Sequence, residues 1–165
     1  MSIFPTTVLL AIDGSTEASL ATEAAVEIAI KTRSELHLVY VSSDPLLTTT
    51  LYEGEEYPGG VADLDHEFDE QLEYYAGRAA QELLDAAVRK VHSLGGAVAQ
   101  SHLMEGMAPQ EIVSLAEDSG VGLIVMGSRG RGGLSRTLMG SVSDSVVRHA
   151  HCPVLVVPAY QEGHA

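Results

Sequence analysis

The sequence predicts an α/β fold, an open parallel sheet with helices on both faces. Two observations support this: short apolar runs alternate with helical patterns, and several runs are apolar almost throughout. Strand–helix–strand units join parallel strands by right-handed crossovers, and continuous apolar strands are typical of sheets covered on both faces. Five strands are predicted, at Thr7–Ile12, Glu35–Val41, Ala97–Leu103, Val121–Met126 and Pro153–Val157.

Four helices are predicted between these strands. One runs from Ser15 to about Lys31, one from Pro109, a favoured first helical residue, to about Ser119, and a short one from Ser141 to about His149. The longest helix has one apolar stripe at steps of three and four residues, consisting of Leu64, Phe68, Leu72, Tyr75, Ala79, Leu83 and Ala86. A pair of glycines at 95 and 96 is expected to end it.

The 165 residues are expected to form a single domain covering 1–165. The one long irregular connection is residues 42–62, which contain two prolines and three glycines. Long loops in compact domains are often functional, so this segment is interpreted either as a lid or partner contact, or as a tolerated surface insertion.

The charge balance argues against polyanionic partners. Lys and Arg total 9 against 23 Asp and Glu, which gives a net charge of −14. Such a surface repels phosphate backbones and anionic lipid, so neither a nucleic-acid nor a membrane role is expected. The single cysteine, Cys152, fits a reducing compartment. The first residues have no basic segment of a signal peptide, and the cytoplasm is the expected location.

The glycine-rich stretch 127–141 follows the fourth strand, at the edge where parallel sheets bind ligands. Gly127, Gly130 and Gly140 would allow close approach to a ligand, and a helix starting at Ser141 would point its N-terminus at an anion. The hydroxyls of Ser141 and Ser143 add donors. Three of the nine basic residues, Arg129, Arg131 and Arg136, fall within this stretch. A second interpretation stays open, a solvated loop in which Ser141 and Asp144 form a capping box.

Several other sites are not supported by the sequence. The lysine-containing P-loop pattern is absent, and the first strand is followed by Asp13-Gly-Ser-Thr16 instead of a dinucleotide-binding glycine motif. His149 and His151 have no cysteine or carboxylate cluster at ligand spacing, so no metal site is predicted.

The sequence resembles the universal stress protein family in its ATP-binding branch. That branch carries G-x2-G-x9-G-[ST], and here Gly127, Gly130, Gly140 and Ser141 keep every spacing. Residues 123–158 are similar to the family's C-terminal signature, and the strand ending in Asp13-Gly-Ser15 to its first strand and turn. The resemblance covers nearly the whole chain and implies a Rossmann-like sheet in the order 3-2-1-4-5.

The resemblance also implies a set of ligand contacts. Ala11, Ile12 and Asp13 would contact adenosine, and Val41 would line the adenine pocket, although on sequence alone Val41 and Met126 are core residues. Asp13 would equally suit an ordinary turn. The remaining expected nucleotide contacts are Met126, Gly127, Arg129, Gly130, Arg131, Gly140, Ser141, Val142 and Ser143.

The expected function is therefore a regulatory module that binds ATP, with Mg²⁺ or Mn²⁺ held through the phosphates. The resemblance also implies a homodimer through Val154–Val157, and this strand fits that arrangement because an apolar run at a sheet edge needs covering. At most slow ATP hydrolysis is predicted. Hydrolysis needs a group that orients the attacking water, and the nearest candidate, Asp144, is better explained as a helix cap. Two different functions also stay open: a module that binds AMP or cyclic AMP, and a structural dimer with an empty pocket.

Overall fold

The computed structural model describes residues 7–43, 65–130 and 139–159, and for 65–69 it describes the backbone only. The order of elements is β1 (Thr7–Ile12), α1 (Thr16–Thr32), β2 (Glu35–Ser42), α2 (Asp65–Ser93), β3 (Gln100–Glu105), α3 (Ala108–Asp118), β4 (Leu123–Gly127), α4 (Ser141–His149) and β5 (Val154–Val157). Most of the loop predicted at 42–62 lies outside the described residues, as does Arg136.

The five strands form one parallel sheet in the order β3-β2-β1-β4-β5, which confirms the predicted fold class. Strand β1 is central and buried along its whole length. The chain passes to β2 on one side of β1 and later to β4 on the other, so strand order reverses beside β1. Ligands of open parallel sheets bind at that reversal, beyond the carboxyl ends of the strands.

The two faces of the sheet support separate apolar cores. Because successive side chains of a strand point to opposite faces, Val8 and Leu10 pack under α1 and α2, whereas Leu9 packs under α3 and α4. Buried side chains of α1, chiefly alanine, allow that helix to lie close to the sheet. The two-layer covering holds the carboxyl ends of β1, β2 and β4 in fixed positions.

The part of the predicted apolar stripe of α2 that the structure describes is largely turned away from the core. Leu72 and Tyr75 are 43% and 66% exposed, and Ala79 is also exposed. Among the side chains of α2 that are described, the buried ones are Ala80, Leu84 and Val91, which lie on a different face of the helix. Helical periodicity predicted the helix correctly but identified the wrong buried face.

Strand β3 begins three residues later than predicted, at Gln100 instead of Ala97. Gly96 is closely packed, since a Cβ atom there would lie 3.0 Å from methyl groups of both Val26 and Val91. Residues 97–99 are therefore the connection that carries the chain from this packed glycine to the sheet. None of the helices in the described part of the chain has the length and apolar content needed to cross a bilayer.

Candidate functional site

A cleft of about 600 Å³ opens at the carboxyl ends of β1, β2 and β4. Every predicted site residue that the structure describes lines it: Ala11, Ile12, Asp13, Val41, Met126, Gly127, Arg129, Gly130, Gly140, Ser141, Val142 and Ser143. Arg131 lies outside the described residues. The cleft is thus built where strand order reverses, and its volume is within the range typical of small-molecule sites.

Asp13 follows β1 and has two separate roles. Its Oδ1 atom accepts a hydrogen bond from the backbone N–H of Ser15 at 2.9 Å, which holds the turn. The other oxygen, Oδ2, faces Gly130, where a Cβ atom would lie only 2.6 Å from it. One carboxylate oxygen therefore stabilises the turn, and the second lies in the cleft close to the backbone of Gly130.

Ser15 joins this turn to the segment after β4. Its hydroxyl oxygen caps α1 by accepting the backbone N–H of Ala18 at 3.1 Å, and its O–H donates to the carbonyl of Arg129 at 3.4 Å. Ser15 is thus the N-cap residue of α1, and Asp13 is a turn residue beside it. The two sides of the cleft are tied together by this serine.

The three glycines of the motif have different structural reasons. A Cβ atom on Gly127 would lie 2.7 Å from Cβ of Glu17, so this glycine lets α1 pack against the end of β4. On Gly130 it would meet the Asp13 carboxylate, and on Gly140 it would lie 3.2 Å from the carbonyl oxygen of Ser128. Only Gly130 and Gly140 keep space clear within the segment that borders the cleft.

Helix α4 begins at Ser141 with Gly140 as its N-cap and no side-chain cap. The capping-box interpretation is therefore wrong, because Ser141 is already helical and the carboxylate of Asp144 pairs instead with Nε of Arg148 at 2.9 Å. The first backbone bond of the helix runs from the N–H of Asp144 to the carbonyl of Gly140 at 2.9 Å. The N–H groups of residues 141–143 precede that bond, and helix N-termini with such groups can bind anions.

The predicted donor role of the Ser143 hydroxyl needs correction. This side chain is 2% exposed, and its O–H donates to the carbonyl of Ser128 at 2.7 Å. The carbonyl of Gly140 lies 3.0 Å from the same hydroxyl oxygen. A hydroxyl has one proton to donate, and both of these acceptors are backbone carbonyls of the protein, so the Ser143 hydroxyl is not a free donor to the cleft.

One part of the cleft wall is apolar. Met126 is buried and Val41 is half-buried, and both pack in the core under α3 and α4 while lining the cleft. Val41 and Met126 therefore belong to the core and also line the cleft. Further lining residues were not anticipated from the sequence: Ala18, Val39, Tyr40, Ser43, Ala108, Ile112 and Met139.

Two of these lining residues, Ala108 and Ile112, could have been located from the sequence. Helix α3 starts directly after β3, so its first turns lie at the same edge of the sheet as the other strand ends, and Ala108 and Ile112 reach the cleft from there. Among the described residues, no group of three or more His, Cys, Asp or Glu side chains is arranged to hold a metal ion.

Fold and site together place the chain in a class, the open α/β domains with a cleft at the point where strand order reverses, the position at which such sheets bind ligands. The sequence profile of the universal stress protein family matches residues 5–158. Universal stress protein YxiE of Bacillus subtilis is 33% identical over 149 residues, which cover 90% of this chain and 96% of YxiE. The chain belongs to the universal stress protein family.

Solved structures show the same fold. The structure of MJ0577, a protein of Methanocaldococcus jannaschii, superposes with a TM-score of 0.74 at 25% identity, over 95% of this chain and 98% of that one. The universal stress protein of Archaeoglobus fulgidus in complex with dAMP superposes with a TM-score of 0.58 at 24% identity, over 94% and 99% of the two chains.

Proposed function

We propose that this chain is a single-domain regulatory module that binds an adenine nucleotide, ATP in particular, in the cleft. The observation that carries the proposal is the arrangement around the cleft, in which the Asp13 carboxylate and the N-terminus of α4 lie at the same opening. A carboxylate accepts hydrogen bonds from ribose hydroxyls or an adenine amine, and a helix N-terminus favours phosphate.

Four further features support this assignment. The apolar wall with Val41 and Met126 suits a purine base, and Arg129 adds a positive charge to the lining. The intact glycine motif is that of the ATP-binding branch, and a member of the family with the same fold binds dAMP. We propose that Mg²⁺ or Mn²⁺ accompanies ATP through its phosphate oxygens and water.

Hydrolysis is not part of this proposal. Asp144, the residue considered for orienting water, pairs with Arg148 one turn along α4.

We propose further that the protein acts in the cytoplasm, where its free Cys152 would stay reduced, and that β5 forms a homodimer interface.

The first test is native mass spectrometry of the protein as purified, followed by titration calorimetry with ATP, AMP, cyclic AMP and adenosine. Co-purified ATP near one per chain supports the proposal. Tighter binding of cyclic AMP or AMP than of ATP would make that nucleotide the proposed ligand. No binding of any adenine nucleotide would overturn the proposed function.

Gly140→Val tests whether the glycine-bordered segment holds the ligand. A Cβ atom at 140 would lie 3.2 Å from the Ser128 carbonyl and 3.3 Å from Cα of Arg129, so the larger side chain displaces that backbone. Gly140 has φ −64° and ψ 157°, which any residue adopts, so the fold should persist. We expect ATP affinity to fall at least about tenfold, or about 1.4 kcal/mol.

The matched control for this experiment is Gly77→Val, the same change at a glycine of α2 whose added Cβ atom would meet nothing within 4 Å. It should bind ATP as the natural sequence does. If Gly140→Val has the circular dichroism spectrum of a folded protein and binds ATP undiminished, this segment does not take part in binding the nucleotide.

A further inference from the structure

The carbonyl oxygen of Ser128 joins the two ends of the segment that connects β4 to α4. It accepts the backbone N–H of Gly140 at 2.7 Å and the hydroxyl of Ser143 at 2.7 Å. Ser128 and Ser143 are both buried. Twelve positions apart in the chain, Ser128 and Gly140 are thus held in direct contact beside the cleft.

Two serines of α4 differ in how they face this region. Ser141 is exposed and lines the cleft, so its hydroxyl is available to a ligand. Ser143 is 2% exposed, and its hydroxyl donates to the Ser128 carbonyl at 2.7 Å, with the Gly140 carbonyl as a second acceptor at 3.0 Å. The motif common to the ATP-binding branch includes Ser141 but not Ser143, and it does not explain why a hydroxyl stands at 143.

The hydrogen bond from Ser143 also determines where the backbone donors lie. Gly140 is the N-cap of α4, and its N–H is used by Ser128, so the remaining donors at the helix end belong to residues 141–143. Their position relative to Gly130 and Asp13 depends on how firmly residue 140 is held against residue 128. Preorganised donors bind more strongly because less ordering is needed on binding.

We propose that Ser143 is a positioning residue, whose hydroxyl fixes the N-terminus of α4 for the phosphate groups of the ligand without touching them. This inference rests on the proposed nucleotide function. Because adenosine would be held at the ends of β1 and β2, by Asp13 and Val41, the hydroxyl should matter for phosphorylated ligands and little for the nucleoside.

The test compares Ser143→Ala, Ser143→Thr and Ser145→Ala by calorimetry with ATP and with adenosine. For Ser143→Ala we expect ATP affinity to fall about five- to tenfold, the equivalent of one net hydrogen bond, and adenosine affinity to change less than about twofold. Ser143→Thr keeps the hydroxyl and should restore ATP binding. Ser145 lies on the same helix with its hydroxyl 3.5 Å from Nδ1 of His149, so Ser145→Ala is the matched control.

A second readout does not require any ligand. The backbone amide of Gly140 is the other donor to the Ser128 carbonyl, so its hydrogen exchange, followed by NMR, should be faster in Ser143→Ala than in the natural protein. Unchanged exchange would show that the hydroxyl does not hold this contact and would overturn the inference.

The binding outcomes separate this inference from the function on which it rests. Equal losses for ATP and adenosine in Ser143→Ala, or none for ATP, overturn the positioning role while the natural protein still binds ATP. Failure of the natural protein to bind any adenine nucleotide overturns the proposed function itself.

Discussion

Two histidines lie side by side on the sheet, away from the cleft. His37 of β2 is 5% exposed, and its ring centroid lies 5.7 Å from that of His102 on the neighbouring strand β3. The carboxylate of Glu35 is 3.6 Å from Nε2 of His37. Burial, followed by the neighbouring His37, lowers the pKa of His102 from its ordinary value of 6.5.

This lowered pKa predicts a loss of stability in acid. The unfolded chain takes up the His102 proton at higher pH than the folded protein does, so stability rises with pH in this range. The contribution of neutral His102 is complete above its unfolded pKa and is lost as the pH falls from there through the lower folded pKa. We expect the melting temperature of the natural protein to fall more steeply than that of His102→Gln between about pH 7.5 and pH 5.

Because other groups titrate in the same range, the comparison uses the difference between the two proteins at each pH. Parallel melting curves across the range would show that His102 does not contribute to the pH dependence.

At the scale of elements, α2 is much longer than the sheet that it covers. Its 29 residues extend about 44 Å, against about 26 Å for the longest strand, the eight-residue β2. Of the side chains described from residue 70 onward, Ala80 is the first buried one, and residues 70–79 are exposed except for the half-buried Ala76. Gly77 lies in those exposed turns, where glycine weakens a helix.

Two glycine-to-alanine substitutions should therefore act in opposite directions. Gly77→Ala adds a Cβ atom with nothing within 4 Å, and should stabilise the protein by up to about 1 kcal/mol through helix propensity. In Gly127→Ala the new Cβ atom would lie 2.7 Å from Cβ of Glu17, which forces α1 away from β4 and should cost about 1–3 kcal/mol. Urea unfolding measures both; a gain at Gly127 would contradict the packing described here.

The elements and the position of the cleft could be predicted from the sequence because they depend on local patterns and on one topological rule. Apolar runs predicted the strands, and the rule that parallel sheets bind ligands where strand order reverses predicted the cleft beside β1. The buried face of α2 could not be predicted, because apolar side chains such as Leu72 and Tyr75 follow the helical period whether or not a sheet lies beneath them. The bond from Ser143 to Ser128 depends on tertiary contact and has no local signal.

At the scale of the whole molecule, the two edge strands of the sheet differ in composition: β5 is apolar throughout, whereas β3 is mostly polar. Strand β5 has four residues, and its Leu155 is 37% exposed. Strand β3, at the other edge, exposes Leu103 at 41%. An apolar strand at an edge favours pairing with another chain, and in a protein with a net charge of −14 such pairing must overcome repulsion between copies.

Leu155→Glu tests the proposed homodimer, since it places a further negative charge on β5. We expect light scattering after size exclusion to show a shift from dimer to monomer mass. Leu103→Glu makes the same change at the opposite edge and should leave the dimer intact. A dimer that persists in Leu155→Glu and dissociates in Leu103→Glu would assign the interface to β3.

Ser128 also connects the cleft to the edge of the sheet, because its N–H donates to the carbonyl of Val157 on β5 at 2.8 Å while its own carbonyl holds Gly140. The edge strand and the N-terminus of α4 therefore meet at one residue. If assembly through β5 changes the affinity for nucleotide by some factor, thermodynamic reciprocity requires nucleotide to change the dimerisation constant by the same factor. Binding isotherms would then depend on protein concentration, and the ligand would act as an assembly signal.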